Sequence, residues 1–560
     1  MTEIVRPRAD EAPPRVRGVE IVARDLRQTL RDGRCVLHDM SFVVRSGDLV
    51  GIVGGSGAGK TTLLDALAGA RPVGAGQVLF DGSDLASNLD AFRGLLGYVP
   101  QDDIIHLELP LERTLHYAAR LRLPAGTPRE ELDSAAARVL TALDLTNRAD
   151  VPVGALSGGQ RKRASIGVEL LTEPEVFFLD EPTSGLDPAT GADLLRLLRS
   201  LADDGATVVF TTHAVQDLAR CDSVVVLARD GHLAFVGAPS DLCAYFDVER
   251  VEEIYERLAE TAPEAWAPHV AEPAPQQDRP RPAPRRGPGF VRQWLVLSQR
   301  TFETLVRNRL TLAILLGSPA LVVTMFVILF RPGAFDFADP SPSAITMILF
   351  WISFGAFFFG LVYGLLQIVT ERAIVRREHL VGQRLSAYVL SKVTVLLPFL
   401  LLVDVVMLAV LRGLDRLPSA SVTAYLSVGV TLALEAAAAL TLGLLTSAVV
   451  SNPSQATLAL PMLCFPAVLF SGAILPVHVM AGVGAAISTV IPVRWAFEAA
   501  GHTLGVRDLL LHGGSPLGPP LVRAYGTAGT QATGVYWLYL GAFVLVFLTG
   551  AWAVLVRRVR

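Results

Sequence analysis

The feature that most constrains the fold is a glycine-rich segment, GGSGAGKT, at Gly54 to Thr61. Small residues let backbone N–H groups wrap the oxygens of a phosphate, the lysine supplies charge, and the hydroxyl can bind Mg²⁺. The flanks argue against a chance glycine-rich turn, because Asp48 to Val53 is typical of a buried strand and Thr62 to Ala68 of a helix. The segment therefore predicts a strand, a phosphate-binding loop and a helix in succession.

The 560 residues divide into two regions of different solvent preference. Residues up to about 267 are mixed and charged, whereas long apolar runs dominate from Leu310 onward and carry much of the 51% hydrophobic content. A chain of this length exceeds what one core usually organises, so we expect two large domains. The net charge of −4 argues against nucleic acid as the main partner.

Two further features bear on compartment. The four cysteines show no metal-binding spacing, and we expect no disulfide framework. Residues 1–17 lack an apolar core, so we predict an untethered cytoplasmic arm and no signal peptide. The cysteines are Cys35, Cys221, Cys243 and Cys464.

A second motif, VFFLDE at Val176 to Glu181, is an apolar strand that ends in two carboxylates. The carboxyl ends of strands are where α/β sheets place ligand groups. Asp180 can hold the Mg²⁺ shell, and Glu181 can polarise the water that attacks a γ-phosphate. Alone, such a strand is often structural, but after a phosphate loop it predicts a hydrolytic site. Val208 to Thr212 is another buried-strand pattern, and it ends in His213, placed to contact a terminal phosphate.

Together with LSGGQ at Leu156 to Gln160, these motifs resemble the ATP-binding cassette (ABC) family over roughly the first 245 residues. The resemblance implies an α/β P-loop ATPase domain at residues 18–266 that uses ATP and Mg²⁺. It assigns catalysis to Glu181, His213 and Gln101, and metal binding to Thr61, Gln101 and Asp180. It assigns nucleotide binding to Gly54, Gly55, Ser56, Gly57, Ala58, Gly59, Lys60, Thr61, Thr62, Ser157, Gly158, Gly159, Gln160 and Asp187.

The resemblance also implies a dimer. In this family the signature residues, here Ser157, Gly158 and Gly159, stand at a helix N-terminus and meet the γ-phosphate bound by another cassette, so one chain makes two half-sites. One departure concerns the aromatic residue that usually stacks on adenine. No aromatic residue lies between Val19 and His38, and the adenine-stacking residue stays unassigned.

Two segments connect the regions. Residues 267–289 carry repeated Pro with Arg and Gln, which predicts an extended, flexible linker. Residues 290–309 place apolar side chains near helical spacing among arginines, which is typical of an amphipathic helix at the cytoplasmic membrane surface. A plain connecting helix is the open alternative. The apolar side chains are Val291, Leu295, Leu297, Phe302 and Leu305.

Residues 310–560 predict an all-α polytopic membrane domain of six transmembrane helices. The positive-inside rule places the basic loop Glu371 to Lys392 and the arginine-rich C-terminal tail in the cytoplasm, although Arg412 and Arg416 disagree. The segment 476–534 would then lie outside. Within it, Ala481 to Val493 is apolar but short, which indicates a re-entrant or interfacial element. The predicted spans are 310–330, 345–370, 393–411, 422–450, 456–475 and 535–556.

This half resembles the ABC-2 type membrane domain of the G subfamily of ABC transporters, half-transporters in which the cassette precedes six membrane helices. The likeness rests on Glu371 to Lys392, on ATL and FSG at Ala456 to Leu458 and Phe470 to Gly472, and on IPVRWAFEA at Ile491 to Ala499. It implies a substrate cavity between two protomers and places Glu378 on a helix that couples the two halves. The external segment lacks the cysteines of animal relatives, and Ala473-Ile474 replaces a bulkier apolar gate.

Three residues are substrate candidates. Phe359 lies where the resemblance places an aromatic residue of the cavity, whereas its neighbours Phe354, Phe357 and Phe358 either line that cavity or pack against lipid and other helices. Asp404 and Glu435 fall within predicted spans, where an ionisable group is costly and a functional candidate. Pairing with backbone, hydroxyls or each other is the structural alternative.

The resemblance implies a homodimeric, ATP-driven exporter of hydrophobic or amphipathic molecules in the bacterial cytoplasmic membrane. The ATPase domain and both termini would be cytoplasmic, and membrane lipids would surround the helices. Only three of the 49 basic residues are lysines, which we read as the mark of a GC-rich bacterial genome. The open alternative is a non-transporting ATPase that transmits ATP-driven motion to an envelope partner. The residues specify neither the substrate nor whether the partner protomer is identical.

Overall fold

The computed structural model describes residues 18–30, 33–266, 287–526 and 528–559, without the side chains of residues 90, 310, 314–316 and 318. The predicted arm at residues 1–17 and most of the predicted linker, residues 267–286, lie outside the described residues. The chain forms two compact units: the first comprises the residues up to Gly289 and Leu380–Gly382, and the second comprises Phe290–His379 and the residues from Gln383 onward.

Two β-sheets organise the first unit. The strands are β1 (Ile21–Thr29), β2 (Cys35–Val44), β3 (Leu49–Gly54), β4 (Ala75–Phe80), β5 (Ser83–Asp84), β6 (Leu96–Val99), β7 (Val176–Leu179), β8 (Thr207–Thr212), β9 (Ser223–Leu227) and β10 (Leu233–Gly237). An antiparallel sheet has the order β2-β1-β4-β5, and a six-stranded sheet has the order β10-β9-β3-β8-β7-β6. From β9 to β6 the neighbouring strands are parallel, so their carboxyl ends share one edge.

Helices cover both faces of the parallel sheet. They are α1 (Lys60–Leu67), α2 (Leu85–Phe92), α3 (Leu111–Arg122), α4 (Arg129–Ala142), α5 (Gly158–Leu170), α6 (Pro188–Asp203), α7 (Leu242–Phe246) and α8 (Ile254–Glu260). Every residue of β3, β7 and β8 is buried, as expected for parallel strands enclosed on both faces. The strands and the helix predicted around the glycine-rich segment, and those predicted before Asp180 and His213, are confirmed.

The second unit is helical. Its helices are α9 (Phe290–Arg307), α10 (Arg309–Leu329), α11 (Pro342–Leu365), α12 (Arg372–Leu380), α13 (Leu385–Gly413), α14 (Val422–Val449), α15 (Pro453–Leu469), α16 (Gly482–Thr489), α17 (Pro492–Thr503), α18 (Val506–His512), α19 (Gly518–Tyr525) and α20 (Thr533–Val559). One core of this unit joins α11, α13 and α14, and it includes Ile352, Leu400 and Leu432. The predicted order of an α/β domain followed by an all-α domain is therefore confirmed.

The number of spans differs from the prediction. Among the described residues four helices, α11, α13, α14 and α20, are long and apolar enough to cross a membrane by length and composition, not six. The described apolar part of α10 is Pro319–Leu329, and α15 has 17 residues. At 1.5 Å per residue α15 reaches about 26 Å, less than a hydrocarbon core of about 30 Å. It ends at Leu469 because Ser471 Oγ bonds back to Val468 O and Gly472 turns left-handed with φ +80°.

Two predicted boundaries also shift. The span predicted at 393–411 lies within α13, which begins at Leu385, so the end of the basic loop is helical. The segment 476–534 contains four helices, α16 to α19, and α16 lies within the short apolar element predicted at Ala481 to Val493. Proline at the first helical positions of α17 and α19 separates these helices from the chain before them.

Helices α11 and α14 approach each other through glycine. A Cβ on Gly360 would collide with the carbonyl oxygen of Ala436, and one on Gly364 with that of Leu440. From the opposite side, a Cβ on Gly443 would lie 2.6 Å from the carbonyl oxygen of Leu361. The two backbones are therefore in direct contact, which only glycine allows.

Candidate functional site

The glycine-rich segment forms the loop between β3 and α1. Gly57 and Gly59 have φ of +79° and +91°, a region that other residues rarely adopt. A Cβ on Gly59 would also lie 2.8 Å from the carbonyl oxygen of Val36, whereas Gly55 and Gly57 face open space. The loop can therefore present its backbone N–H groups, together with the N-terminus of α1, to an anion.

Lys60 begins α1 and points back along the loop. Its Nζ donates to the carbonyl oxygens of Gly54 at 2.9 Å and Gly55 at 3.2 Å. Burial lowers the pKa of the ammonium, and the charges of Glu181 and Asp180 oppose that shift. Among the described residues no carboxylate lies within 4.0 Å of Nζ, so its direct contacts are with carbonyl oxygens.

Asp180 and Thr61 come together from different elements. Thr61 Oγ1 lies 3.2 Å from Asp180 Oδ1, and Thr211 Oγ1 on β8 donates to the same oxygen at 2.6 Å. Asp180 is 2% exposed, so its orientation is fixed by these hydroxyls. A carboxylate beside a threonine hydroxyl is a set of hard oxygen ligands of the kind that Mg²⁺ prefers, and it fits the predicted metal site.

The predicted catalytic residues also meet. Gln101 Nε2 lies 3.2 Å from Glu181 Oε2, and His213 Nδ1 lies 3.6 Å from the same oxygen. Glu181 has φ +45°, a left-handed conformation that is unfavourable for a non-glycine residue and that recurs at functional sites. Its N–H donates to Thr211 Oγ1 at 2.8 Å, which holds the strained residue in place.

The LSGGQ segment begins α5. Ser157 Oγ accepts from Gln160 N at 3.3 Å, and Gln160 Oε1 accepts from Ser157 N at 3.1 Å, which together form a capping box. Ser157 and Gly158 are exposed. Within the part of the chain that the structure describes, no hydrogen bond or ion pair joins residues 54–62 to residues 157–160.

Asp187 lies at the N-terminus of α6, as Ser157 lies at the N-terminus of α5. Its Oδ1 accepts from Thr190 N at 3.0 Å, and these hydrogen bonds with Thr190 lower the pKa of the carboxyl group. The side chain is thus the N-cap of α6. No contact with the phosphate loop is formed by Asp187 among the described residues.

Three residues that the sequence patterns did not single out support this site. Lys162 on α5 donates to the carbonyl oxygens of Pro100 at 3.2 Å and Gln101 at 2.8 Å, and it is 5% exposed. Tyr255 Oη on α8 donates to His213 O at 2.9 Å, and burial beside Glu181 raises the pKa of its phenol to about 12. Thr211 is the third. The rarity of lysine was a usable signal for Lys162, but no pattern marked the other two.

The second unit contains paired charges around α12. Arg300 on α9 forms two hydrogen bonds with Glu378, of which Nη2 to Oε2 is 2.9 Å, and both side chains are at least nine-tenths buried. Lys392 Nζ lies 2.7 Å from Glu371 Oε1, and Tyr388 Oη donates to Glu371 Oε2 at 2.9 Å. The ion pair of Arg300 and Glu378 thus joins α9 to α12.

The three substrate candidates are buried in the same unit. Phe359 is 2% exposed and packs in the core of α11, α13 and α14. Asp404 Oδ2 and both carboxyl oxygens of Glu435 have no hydrogen-bond partner among the described residues. Pairing with backbone or hydroxyl groups, the structural alternative, is therefore not formed by these oxygens.

Comparisons with known proteins agree with the two-unit organisation. A family model described as ABC transporter matches residues 37–184, and one described as ABC-2 type transporter matches residues 292–504. The first match contains the phosphate loop, the LSGGQ segment and the paired carboxylates. The second contains α12 and the helices α10 to α17 around it.

The chain is 33% identical over 509 residues to the ABC transporter ATP-binding/permease protein Rv1747 of Mycobacterium tuberculosis, covering 89% of this chain and 58% of that protein. It is 36% identical over 260 residues to ABC transporter G family member 28 of Arabidopsis thaliana, covering 44% and 22%. The chain thus spans less than two thirds of the length of either relative. A structure of the ATP-binding cassette MJ0796 bound to ADP and Pi aligns with 24% identity over 39% of this chain and 98% of that one, with a TM-score of 0.37, too low to carry an argument.

Proposed function

Because the chain belongs to the ABC transporters in which an ATPase domain precedes an ABC-2 type membrane domain, we propose that it couples ATP hydrolysis to export. The proposed cargo is a hydrophobic or amphipathic molecule, taken from the cytoplasm or the inner leaflet. The working unit is a homodimer in a bacterial cytoplasmic membrane. The observation that carries the proposal is the convergence of Gln101, Glu181 and His213 beside the phosphate loop, in a chain whose other half is an ABC-2 type domain.

The geometry supports a hydrolytic mechanism. The loop N–H groups and Lys60 bind the phosphates of ATP, and on binding Lys60 exchanges the carbonyls of Gly54 and Gly55 for phosphate oxygens. Thr61 and Asp180 would hold Mg²⁺, which neutralises phosphate charge. Glu181 accepts the proton of the attacking water.

Gln101 and His213 both lie at the carboxylate of Glu181 and orient that water. Thr211 fixes Asp180 and the strained backbone of Glu181 at once, so the metal ligand and the base keep a constant spacing. Lys162 anchors the backbone at Gln101 from the first turns of α5, the helix that Ser157 caps. Helix α5 therefore connects the LSGGQ segment to the backbone of Gln101.

The signature is proposed to complete the site of the partner subunit. Its exposed helix N-terminus has free N–H groups and no bond to the loop of its own chain. Mixed dimers test this. A chain carrying Lys60→Ala paired with a chain carrying Ser157→Arg has one doubly damaged site and one intact site if the sites are shared. With Glu181→Gln in both chains, about one ATP should stay trapped per mixed dimer.

The control is each homodimer, in which both sites are damaged and no ATP should be retained. If each chain used its own signature, both sites of the mixed dimer would be broken. A folded mixed dimer that retains no ATP would therefore refute the shared site.

Orientation is proposed from charge and from α9. Basic side chains of the loop between α11 and α13 and of the C-terminal tail favour the cytoplasm. Helix α9 buries Leu297 and Arg300 on one face and exposes Val291, Leu295 and Phe302 on another. An exposed apolar strip on a basic helix favours the membrane-surface reading over a plain connecting helix.

Transport by the purified protein in liposomes tests the export proposal. Vesicles with outward-facing ATPase domains are given Mg-ATP and a fluorescent amphiphile, and accumulation inside is measured against vesicles carrying Glu181→Gln. ATP-dependent accumulation supports export. ATPase activity without movement of any tested amphiphile, or activity that requires an envelope partner, supports the alternative of a motion-transmitting ATPase. A screen of lipids and drugs for stimulation of ATPase activity chooses the amphiphile.

A further inference from the structure

A cavity in the second unit lies among the helices of segment 476–534 and the start of α11. It is open at its mouth, and about 550 Å³ of space there is free of protein atoms, a volume that includes solvent at the mouth. Most of its wall is apolar and comes from four helices, α11, α17, α18 and α19. The apolar residues are Leu349, Phe497, Val506, Leu510 and Val522.

Two ionised side chains line the cavity, and only one has a counter-charge. Glu498 Oε1 accepts from Arg494 Nε at 2.9 Å, one turn earlier on α17. Arg507 on α18 donates one N–H to the carbonyl oxygen of Gly526 at 2.9 Å. Among the described residues no carboxylate lies within 4.0 Å of Arg507, and a guanidinium has five donors. The cavity therefore carries an uncompensated positive charge with donors to spare.

His502 is another polar group in the lining of this cavity. His502 Nδ1 lies 2.8 Å from the carbonyl oxygen of Gly529, so this nitrogen is the donor and the other ring nitrogen is available. Carbonyls of Gly526 and Gly529, in the segment that follows α19, thus hold Arg507 and His502 in the lining of the cavity. The lining combines these polar groups with a mostly apolar wall.

We propose that this cavity binds a single-chain amphiphile with an anionic head group, either a carboxylate or a phosphate monoester. The head accepts parallel hydrogen bonds from Arg507, for which a planar guanidinium is suited. The chain lies against the apolar wall and is removed from water there. A neutral head leaves the charge of Arg507 uncompensated, and a cationic head is repelled. The site is separate from the nucleotide site and does not depend on the direction of transport.

Glycine offers a way to fill the cavity. Gly501 on α17 lines it, and the nearest atom to a Cβ built at this position is Leu349 Cδ1 at 3.8 Å, an ordinary contact. Gly501→Leu therefore places a side chain in the cavity without striking backbone. Gly541 on α20 is also helical, and nothing lies within 4 Å of its Cβ position, so Gly541→Leu is the matched control.

The test is equilibrium binding of tritiated hexadecanoate to the purified full-length protein in detergent. We expect saturable binding near one molecule per chain, displaced by hexadecyl phosphate but not by equal concentrations of hexadecanol or hexadecyltrimethylammonium. Arg507→Gln should weaken binding at least about tenfold, as loss of a charge-assisted hydrogen bond implies. Arg507→Lys should restore part of it, and Gly501→Leu should abolish it. Gly541→Leu and Arg523→Gln, which removes an exposed charge on α19, should bind normally.

Each competitor decides one point. Equal displacement by hexadecanol, or unchanged affinity in Arg507→Gln, would overturn recognition of an anionic head. Full binding by Gly501→Leu would show that the amphiphile sits elsewhere. Whichever acid displaces the probe at lower concentration identifies a carboxylate or a phosphate as the head group. The unfolding temperature of each variant reports folding, so loss of binding is separated from loss of structure. Trapping of ATP in the Glu181→Gln background reports the nucleotide site, so failure of this proposal is distinguished from failure of the export proposal.

Discussion

Buried cations are handled differently in the two units. Lys60 at the phosphate loop rests on the carbonyls of Gly54 and Gly55, with no carboxylate in contact. In the second unit Lys392 contacts Glu371 at 2.7 Å, and Arg300 is bonded twice to Glu378. The first arrangement leaves a charge that a ligand can satisfy, whereas the second is already neutral.

This difference separates charged groups that can bind a ligand from charged groups that stabilise the fold. A charge without a counter-charge gains most from an incoming ion, because dipoles compensate it only in part. A paired charge gains nothing from a ligand, but losing its partner is destabilising. Substituting a charge that has no counter-charge should therefore lower activity more than stability. Substituting one member of a buried pair should lower stability more than activity.

The largest effect is expected at Glu181. Glu181→Gln removes the proton acceptor while keeping size and most hydrogen bonds, so ATP and Mg²⁺ should still bind. Hydrolysis should fall by about 10²- to 10⁴-fold, and the melting temperature should hardly change. Phosphate release and retained nucleotide are measured on the same sample. Near-normal turnover would remove Glu181 from the mechanism.

The next effect concerns stability. Glu378→Ala leaves Arg300 buried without its partner, which should lower the free energy of unfolding by about 3–5 kcal/mol. Replacing both residues, Arg300→Met with Glu378→Met, should recover most of that loss because neither charge of this pair remains to be buried alone. Thermal unfolding of the purified variants is the measurement. Equal destabilisation by the single and double substitutions would contradict the idea that Arg300 and Glu378 neutralise each other's buried charge.

The double variant also isolates the predicted coupling role of Glu378. With the fold retained, basal ATPase should persist while stimulation by an amphiphile is lost. Stimulation that survives in the double variant would leave Glu378 with a structural role alone.

A smaller effect is expected at Thr211, which supports the catalytic site and also stabilises the fold. Thr211→Val removes the hydrogen bonds to Asp180 and Glu181 at nearly constant volume. Leaving these buried groups unsatisfied costs about 1–3 kcal/mol, so kcat/KM for Mg-ATP should fall about tenfold or more. Thr211→Ser keeps the hydroxyl and should behave nearly as the wild type. Steady-state ATPase assays at varied Mg²⁺ distinguish metal binding from catalysis.

The smallest effect is expected at Glu435, whose carboxyl oxygens are fully buried and have no hydrogen-bond partner among the described residues. A carboxylate in that setting is so unfavourable that we expect the uncharged acid. Glu435→Gln is then nearly isosteric and should change the free energy of unfolding by less than about 1 kcal/mol. A large loss of melting temperature would mean that Glu435 carries a charge with a counter-ion. Unchanged stability with altered transport would favour its functional reading.

The site at the sheet edge could be predicted because parallel strands buried on both faces leave continuous apolar runs. The runs that become β3, β7 and β8 end at the phosphate loop, at Asp180 and at His213, and parallel pairing brings the three ends to one edge. Lys162 and Tyr255 could not be predicted in this way. Their partners lie 61 and 42 residues away, and only the packing of α5 and α8 brings them together.

The second unit was predictable in kind but not in detail. Hydropathy finds helices such as α11 and α14, but it does not find their ends, which depend on tertiary contacts. Helix α13 extends back to Leu385 because Lys392 is neutralised by Glu371 and can be buried. The helices of segment 476–534 were missed because α16, α18 and α19 have only seven or eight residues each, and windows long enough to detect spans average over them.

The glycine contact between α11 and α14 has a mechanical consequence. Rolling or sliding one helix over the other would drive backbone into backbone at Gly360, Gly364 and Gly443, where no compliant side chain lies between them. We therefore expect α11 and α14 to move as one rigid body. If the proposed ATPase drives motion in this unit, the contact between α11 and α14 cannot absorb that motion, and deformation must occur where larger side chains separate the helices. Replacing any of these three glycines by alanine would push the two helices apart. We expect this change to impair the transmission of motion before it impairs ATP binding.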